Sequence, residues 1–156
     1  MDPSHLKALS QTREHLISRA QEASQYANSY RDFQVGSAVL AFNPQATEPA
    51  NSYHVFVGAN LKPAKDGPKV CAEQIAIGSA IANGYSVIIA LAVTGERQPD
   101  SKSGLNPPTL HPCWECRTLL RDMPQVSDDT FIITTFNHGG PVEEHTMAEI
   151  LAIHND

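Results

Sequence analysis

Three cysteines and one glutamate are the side chains in this sequence best suited to do chemistry. Cys71 and Glu73 are separated by one residue, and Cys113 and Cys116 form a Cys-x-x-Cys pair after a His-Pro dipeptide. Two thiolates at that spacing can hold one metal ion from a loop-to-helix turn, and three thiolates leave one position of a tetrahedral zinc ion open. An open position is typical of catalytic zinc sites. His111 could close it, so a structural zinc site is the alternative.

Glu73 is the candidate proton carrier of such a site. A zinc-bound water has a pKa near neutrality, and a nearby carboxylate can take up its proton and return it to a leaving group. A lone acidic residue in a first helical turn more often compensates the helix dipole. Glu73, however, stands beside three cysteines in a predicted helix that is otherwise nearly free of charge. Arg117 directly follows Cys116 and is predicted either to donate to a thiolate or to point into solvent.

Composition indicates one globular domain over residues 1–156, with 41% apolar and 18% charged residues. A net charge of −6 and a pI near 5.6 disfavour a general nucleic-acid or membrane-surface binder. Three cysteines make a poor disulfide framework and indicate a reducing compartment. The N-terminal segment lacks the apolar core of a secretory signal, and the longest apolar run, 87–93, is too short to span a membrane. We therefore expect a cytoplasmic protein.

The pattern of apolar residues predicts four helices and four strands around these motifs. The helices are predicted from a cap at Ser4 to Ala27, over 71–83, over 113–121, and from a Thr146 cap with Glu149 three residues on to 153. The strands are predicted over 33–42, 53–59, 87–94 and 130–136. This order predicts a three-layer α/β domain around a mixed sheet, in which both cysteine segments begin a helix directly after a loop.

The sequence resembles the zinc-dependent cytidine deaminase family in its Cys-first form. Cys-Ala-Glu at 71–73 followed by Pro-Cys-x-x-Cys at 112–116 is similar to the family signature, as are the segments 30–38 and 57–60. The resemblance implies a three-layer α/β/α cytidine deaminase-like fold with a mixed five-stranded sheet, and a homotetramer. It also implies Zn²⁺ held by Cys71, Cys113 and Cys116. Glu73 would then move protons during hydrolytic deamination of a cytosine nucleoside to its uracil counterpart and ammonia.

The resemblance also implies substrate contacts, and here the sequence departs from the family. Phe33 would pack on the base, Asn60 would contact a sugar hydroxyl, and backbone groups near Ala72 and His111-Pro112 would hold the ring; core packing for Phe33 and a turn role for Asn60 are the alternatives. Departures from the family pattern are Lys62 for a ribose-binding glutamate, Gln74 for an arginine that screens the thiolates, and His111 and Trp114 for small residues. A lysine cannot accept hydrogen bonds from ribose hydroxyls. The expected substrate is cytidine, deoxycytidine or an analogue, with a blasticidin-S-like or other modified nucleoside as the alternative. A deaminase of polynucleotides is disfavoured because no basic stripe interleaved with aromatic residues is present.

Overall fold

The computed structural model describes all 156 residues. The helices are α1 (Pro3–Ser24), α2 (Ala72–Ala82), α3 (Trp114–Asp122) and α4 (Met147–Ile153), with one 3-10 turn at Pro49–Asn51. The strands are β1 (Asn28–Ser29), β2 (Gly36–Phe42), β3 (Tyr53–Ala59), β4 (Leu61–Lys62), β5 (Val87–Thr94), β6 (Phe131–Thr135) and β7 (Glu143–Thr146). None of the helices combines the length and apolar content that crossing a membrane requires.

Five strands form one mixed sheet in the order β3-β2-β5-β6-β7. The pairs β3–β2, β2–β5 and β6–β7 are antiparallel, whereas β5 and β6 are parallel and are joined through α3. The two short strands β1 and β4 pair in parallel as a separate ribbon, with Ser29 opposite Lys62. This ribbon becomes part of the pocket wall described below.

Helices cover both faces of the sheet and bury two apolar clusters. On one face, Leu9, Leu16 and Ala20 of α1 pack against a cluster that contains Leu40 of β2 and Ile133 of β6. On the other face, α2, α3 and α4 share a second cluster with alternate residues of the same strands, whose members include Val39, Leu91, Val93, Ile132, Leu120 and Ile150. The predicted three-layer arrangement with a mixed five-stranded sheet is therefore confirmed.

Several element boundaries differ from the sequence-based expectation for local reasons. The cap of α1 is Asp2, whose carboxylate accepts the Ser4 amide at 2.7 Å, so Ser4 lies inside the helix. Strand β2 begins at Gly36 rather than at residue 33. The last strand, β7, was not predicted because its sequence Glu-Glu-His-Thr carries no apolar alternation. The Thr146 cap of α4 is confirmed: its hydroxyl accepts the Glu149 amide at 3.2 Å.

Helix α2 lies unusually close to strand β3, and Gly58 makes this approach possible. A Cβ atom at Gly58 would meet the Ala72 carbonyl oxygen at 2.4 Å and the Ala76 amide nitrogen at 2.8 Å. Both contacts are to backbone, which cannot rotate away as the end of a side chain can. Because Ala72 is the first residue of α2, the glycine determines where this helix begins relative to the sheet.

We predict that Gly58→Ala lowers the free energy of unfolding by about 1–3 kcal/mol, because the new methyl group overpacks the contact between the strand and the helix. Chemical unfolding of the purified variant measures this change. Gly78→Ala is the matched control, since Gly78 lies in α2 with no atom within 4 Å of its Cβ position. The control should gain about 0.5–1 kcal/mol from helix propensity. Equal losses in the two variants would contradict this explanation.

Candidate active site

The three cysteine thiols converge at the beginnings of two helices. Cys71 is the N-cap of α2, Cys113 is the N-cap of α3, and Cys116 lies in the first turn of α3. The three sulfur atoms all lie within 4.8 Å of one another, and the Sγ atoms of Cys71 and Cys113 are 3.9 Å apart. No disulfide forms among them. The structure thus brings Cys71 together with two thiols that lie 42 or more residues further along the chain.

The surroundings of the cluster favour negative charge on one sulfur, that of Cys113, over the other two. Helix N-termini present unpaired N–H groups and a partial positive charge, and two of them meet here. Hydrogen bonds from the Cys116 and Cys71 thiols lower the pKa of Cys113, and the same contacts with Cys113 raise the pKa of Cys71 and of Cys116. Burial acts to lower the pKa of Lys69, but the charges of Cys113, Cys71 and Glu115 outweigh it and raise that pKa. Lys69 is therefore a cation next to the thiols.

Glu73 lies in the first turn of α2 and is only 4% exposed. Burial, with a smaller contribution from the charge of Cys113, raises the pKa of its carboxyl to about 7. A carboxyl group with a pKa near neutrality can both take up and release a proton at physiological pH.

Gln74 fixes the backbone of Cys71. Its side-chain oxygen accepts the Cys71 amide hydrogen at 2.9 Å, which closes the N-terminus of α2. The effect of Gln74 on the cluster is therefore through the position of Cys71.

Cys71, Cys113 and Glu73 form the floor of a cavity of about 350 Å³, and Cys116 is buried behind them. Its walls come from the segment around Phe33, the β1–β4 ribbon, and the loop that precedes Cys113, and they include Asn60, Lys62, Ala72, Leu110 and His111. Trp114 does not line the cavity and is 41% exposed. The cavity has the volume of a small-molecule site.

Asn60 braces the segment that carries Phe33. Its Oδ1 accepts the Val35 amide at 2.9 Å, and its Nδ2 donates to the Phe33 carbonyl at 2.8 Å. These bonds hold residues 33–35 outside the regular sheet, which explains the late start of β2. Contact between Asn60 and a sugar hydroxyl stays a prediction.

Arg117 occupies neither of the two predicted positions. It is completely buried, and its guanidinium donates to Asp100 at 2.7 and 3.2 Å, to the Pro112 carbonyl at 2.8 Å, and to Asp156. Because its hydrogen bonds go to these oxygen atoms, Arg117 neither donates to a thiolate nor points into solvent. A buried guanidinium needs carboxylate partners, which the loop at Asp100 and the C-terminus supply. Arg117 thereby holds the backbone just before Cys113.

Comparison with known proteins decides the family. The sequence model for the cytidine and deoxycytidylate deaminase zinc-binding region matches residues 10–134, which is well over half of the chain. The chain belongs to this family. A cytidine deaminase of Halalkalibacterium halodurans is 27% identical over 140 residues, covering 89% of this chain and 90% of its own. A probable cytidine deaminase of Dictyostelium discoideum is 29% identical over 105 residues, covering 67% of this chain and 60% of its own.

Solved structures of cytidine deaminases share the fold. The crystal structure of the cytidine deaminase from Burkholderia pseudomallei matches with a TM-score of 0.66 at 26% identity, covering 88% of this chain and 94% of that one. The enzyme from Mycobacterium tuberculosis matches with a TM-score of 0.59 at 22% identity, covering 88% and 92%. The resemblance to deaminases in the sequence is thus confirmed, and the chain is a deaminase-family hydrolase.

The donor set at the cavity floor fits the zinc ion of the deaminase family. Three thiols lie close enough to share one ion, and no histidine or carboxylate joins their group. Thiolate sulfur is a preferred ligand of zinc, and a three-ligand set leaves one position for water or substrate. His111 was the candidate for a fourth ligand, so its position in the structure decides whether the fourth place stays open.

His111 is engaged on both ring nitrogens away from the thiols. Its Nδ1 lies 2.9 Å from Nε2 of His154, and its Nε2 lies 3.1 Å from Oε1 of Glu143. The Glu143 carboxylate also contacts Nε2 of His145 at 3.2 Å and accepts the Thr109 amide at 3.1 Å. Sequence reasoning missed His154, Glu143 and His145 because no local pattern links them to His111, which lies 32 or more residues away.

We predict that the hydrogen bonds to the Glu143 carboxylate, here called the Glu143 network, stabilise the fold only while this carboxylate is ionised. Burial would raise the pKa of Glu143, but hydrogen bonds from Thr109, His145 and His111 outweigh it and lower the pKa to about 2, against 4.5 for the free side chain. This contribution is fully present above about pH 4.5 and is lost as the pH falls toward 2. Urea unfolding of wild type and Glu143→Gln from pH 7 to pH 3 should therefore give a stability difference that shrinks below pH 4.5.

Glu96→Gln, at an exposed position, is the control and should stay within about 0.5 kcal/mol of wild type in unfolding free energy at pH 7. A Glu143→Gln difference that stays constant or grows toward pH 3 would contradict the network's role.

Proposed function

We propose that this protein is a zinc-dependent aminohydrolase that converts the cytosine moiety of a nucleoside to uracil and releases ammonia. The observation that carries the proposal is that three thiols converge beside one buried carboxyl group, and that Cys71, Cys113 and Glu73 line the same cavity. Membership of the deaminase family supports the reaction class.

Cys71, Cys113 and Cys116 are the proposed zinc ligands. When bound, zinc would supply the acidity that makes water a nucleophile at neutral pH. The chain contributes the orientation of the ligands: Gln74 fixes Cys71, and Arg117 holds the Pro112 carbonyl next to Cys113.

Glu73 is the proposed proton carrier. Its position at the cavity floor and its pKa of about 7 suit a group that carries two protons in turn, the first from water to the ring N3 and the second from the hydroxyl added at C4 to the leaving amino group. Phe33 would pack on the base, and backbone groups of Ala72 and of the His111-Pro112 segment would hold its edge. Asn60 would act at the sugar, in addition to bracing residues 33–35.

An oligomer is proposed as well, with a homotetramer implied by the resemblance. Large apolar side chains that are exposed to solvent in the single chain support an interface between subunits. Among them are Tyr26 at 77%, Val142 at 53% and Trp114 at 41% exposure. A cytoplasmic location stays a prediction.

Glu73→Gln should keep its zinc and lose at least about 100-fold in turnover of cytidine, because the amide cannot shuttle a proton. Ammonia release and metal content measured on the same preparation test this. Glu115→Gln is the control: this glutamate lies in the first turn of α3 but does not line the cavity, so its turnover should stay near wild type. A Glu73→Gln variant with wild-type turnover would disprove the mechanism.

A structural-zinc protein is distinguished by the metal content of two further variants. Cys113→Ala should lower zinc well below one ion per chain, because it removes one of three ligands. His111→Gln should retain about one ion per chain, since the His111 ring contacts His154 and Glu143 instead of the thiols. Loss of zinc from His111→Gln, together with an absence of turnover on any aminopyrimidine in wild type, would favour the structural role.

A further inference from the structure

Three cationic side chains line the cavity of a protein that is acidic as a whole. Arg31, Lys62 and Lys69 all contribute to its wall, whereas the net charge of the chain is −6. Only two carboxylates line the same cavity, those of Glu73 and Asp100. The wall therefore has the opposite charge balance to the rest of the protein.

The two carboxylates do not neutralise these cations. Oδ1 of Asp100 accepts a hydrogen bond from Arg117, and its Oδ2 accepts from Arg117 and from the Lys102 and Ser103 amides. Glu73 lies at the floor and takes part in none of the ion pairs of the chain. The cations of the wall thus form no ion pair with a carboxylate that lines the cavity.

Lys69 belongs to the metal end of the cavity. Its ammonium lies 3.6 Å from the Glu115 carboxylate and close enough to Cys71 and Cys113 to feel their charge. Arg31 and Lys62, in contrast, form no ion pair with any residue of the chain. These two cations are the ones available to a ligand.

Both available cations are positioned by aromatic rings. The Arg31 guanidinium lies 4.5 Å above the Phe33 ring, and its Nη2 lies 3.4 Å from the side-chain oxygen of Gln98. The Lys62 ammonium lies 5.5 Å from the centre of the Tyr30 ring. A ring face holds a cation in place without cancelling its charge. Because Ser29 pairs with Lys62 and the Tyr30 amide donates to the Lys62 carbonyl at 2.8 Å, Arg31 and Lys62 come from neighbouring backbone segments of the cavity wall.

We infer that Arg31 and Lys62 form an anion subsite that selects a cytosine nucleoside carrying a phosphate or carboxylate on its sugar. This inference rests on the proposed function and specifies its substrate class. Guanidinium and ammonium groups donate hydrogen bonds to phosphate and carboxylate oxygens and accept none, so they favour anions over neutral hydroxyl groups. A cavity of about 350 Å³ has room for more than a nucleobase.

The kinetic test compares kcat/KM for cytidine, cytidine 5′-monophosphate, cytidine 3′-monophosphate and cytidine 5′-carboxylate. Wild type should prefer at least one anionic substrate over cytidine by about tenfold, which corresponds to one hydrogen bond to a charged group. The two monophosphates report the position of the anion on the sugar, and the carboxylate distinguishes a carboxylate subsite from a phosphate subsite. The preference should shrink as salt is raised, because the cations are partly exposed.

Charge variants test which residues create the preference. In the double variant Arg31→Gln/Lys62→Gln, kcat/KM for the anionic substrate divided by kcat/KM for cytidine should fall to about one. Lys62→Glu should reverse the ratio in favour of cytidine, because a carboxylate repels the anion and accepts hydrogen bonds from sugar hydroxyls. Lys65→Gln is the control, since Lys65 is exposed three residues away and does not line the cavity; it should keep the wild-type ratio.

A binding experiment keeps the test independent of turnover. Uridine and its 5′- and 3′-monophosphates are products of the proposed reaction, so their dissociation constants can be measured by calorimetry or NMR whether or not deamination is seen. At least one monophosphate should bind wild type about tenfold more tightly than uridine, and this advantage should vanish in the double variant. Cytidine turnover with no preference for any anion, and no tighter binding of any monophosphate, would overturn the anion subsite and leave the proposed function intact. Absence of turnover on all four substrates would overturn the proposed function, while the binding data would still decide the subsite.

Discussion

The close packing of helix α2 against the sheet is the constraint on which the site depends. Gly58 has no side chain where the helix backbone passes, and Ala72, Ala76 and Ala80 are completely buried on the facing side. Small residues on both sides let the helix axis come near the strands, so its first turn ends deep in the protein rather than at the surface. Cys71 and the buried carboxyl group two residues on therefore share a cavity floor instead of a solvated helix end.

The second half of the thiol cluster depends on a different interaction, the burial of Arg117. A buried guanidinium is costly unless its donors are paired, and here the partners are Asp100, Asp156 and the Pro112 carbonyl. These groups come from a loop, the C-terminal residue and the segment before Cys113, so one side chain ties three distant parts of the chain together. Since Arg117 does not contact the thiols, the charge on sulfur is balanced by the two helix N-termini and by Lys69.

Local patterns in the sequence predicted much of this, and non-local contacts account for what was missed. Buried strands and the Cys-Ala-Glu and Cys-x-x-Cys turns involve neighbours in sequence, so periodicity and spacing identify them. Strand β7 was not predicted because a polar edge strand has no apolar alternation. The partners of Arg117 and His111 lie up to 39 and 43 residues away, and side-chain donors give no sequence signal of the acceptor they will meet. The same holds for the Asn60 brace, whose acceptor and donor lie 27 and 25 residues away.

The residue types at the two ends of the cavity are restricted to different degrees. The floor, which bears on the reaction, is more restricted than the wall, which bears on specificity. At the floor, metal chemistry, close helix packing and burial each restrict which residues can stand there. At the wall that carries Lys62, the residues lie on a two-stranded ribbon and in loops outside the main sheet, with side chains that are exposed or half-buried. A change from an acidic to a basic side chain there alters the charge presented to a ligand without disturbing the core. The deaminase floor can therefore be combined with a cationic wall, and the proposed anion subsite depends on that wall alone.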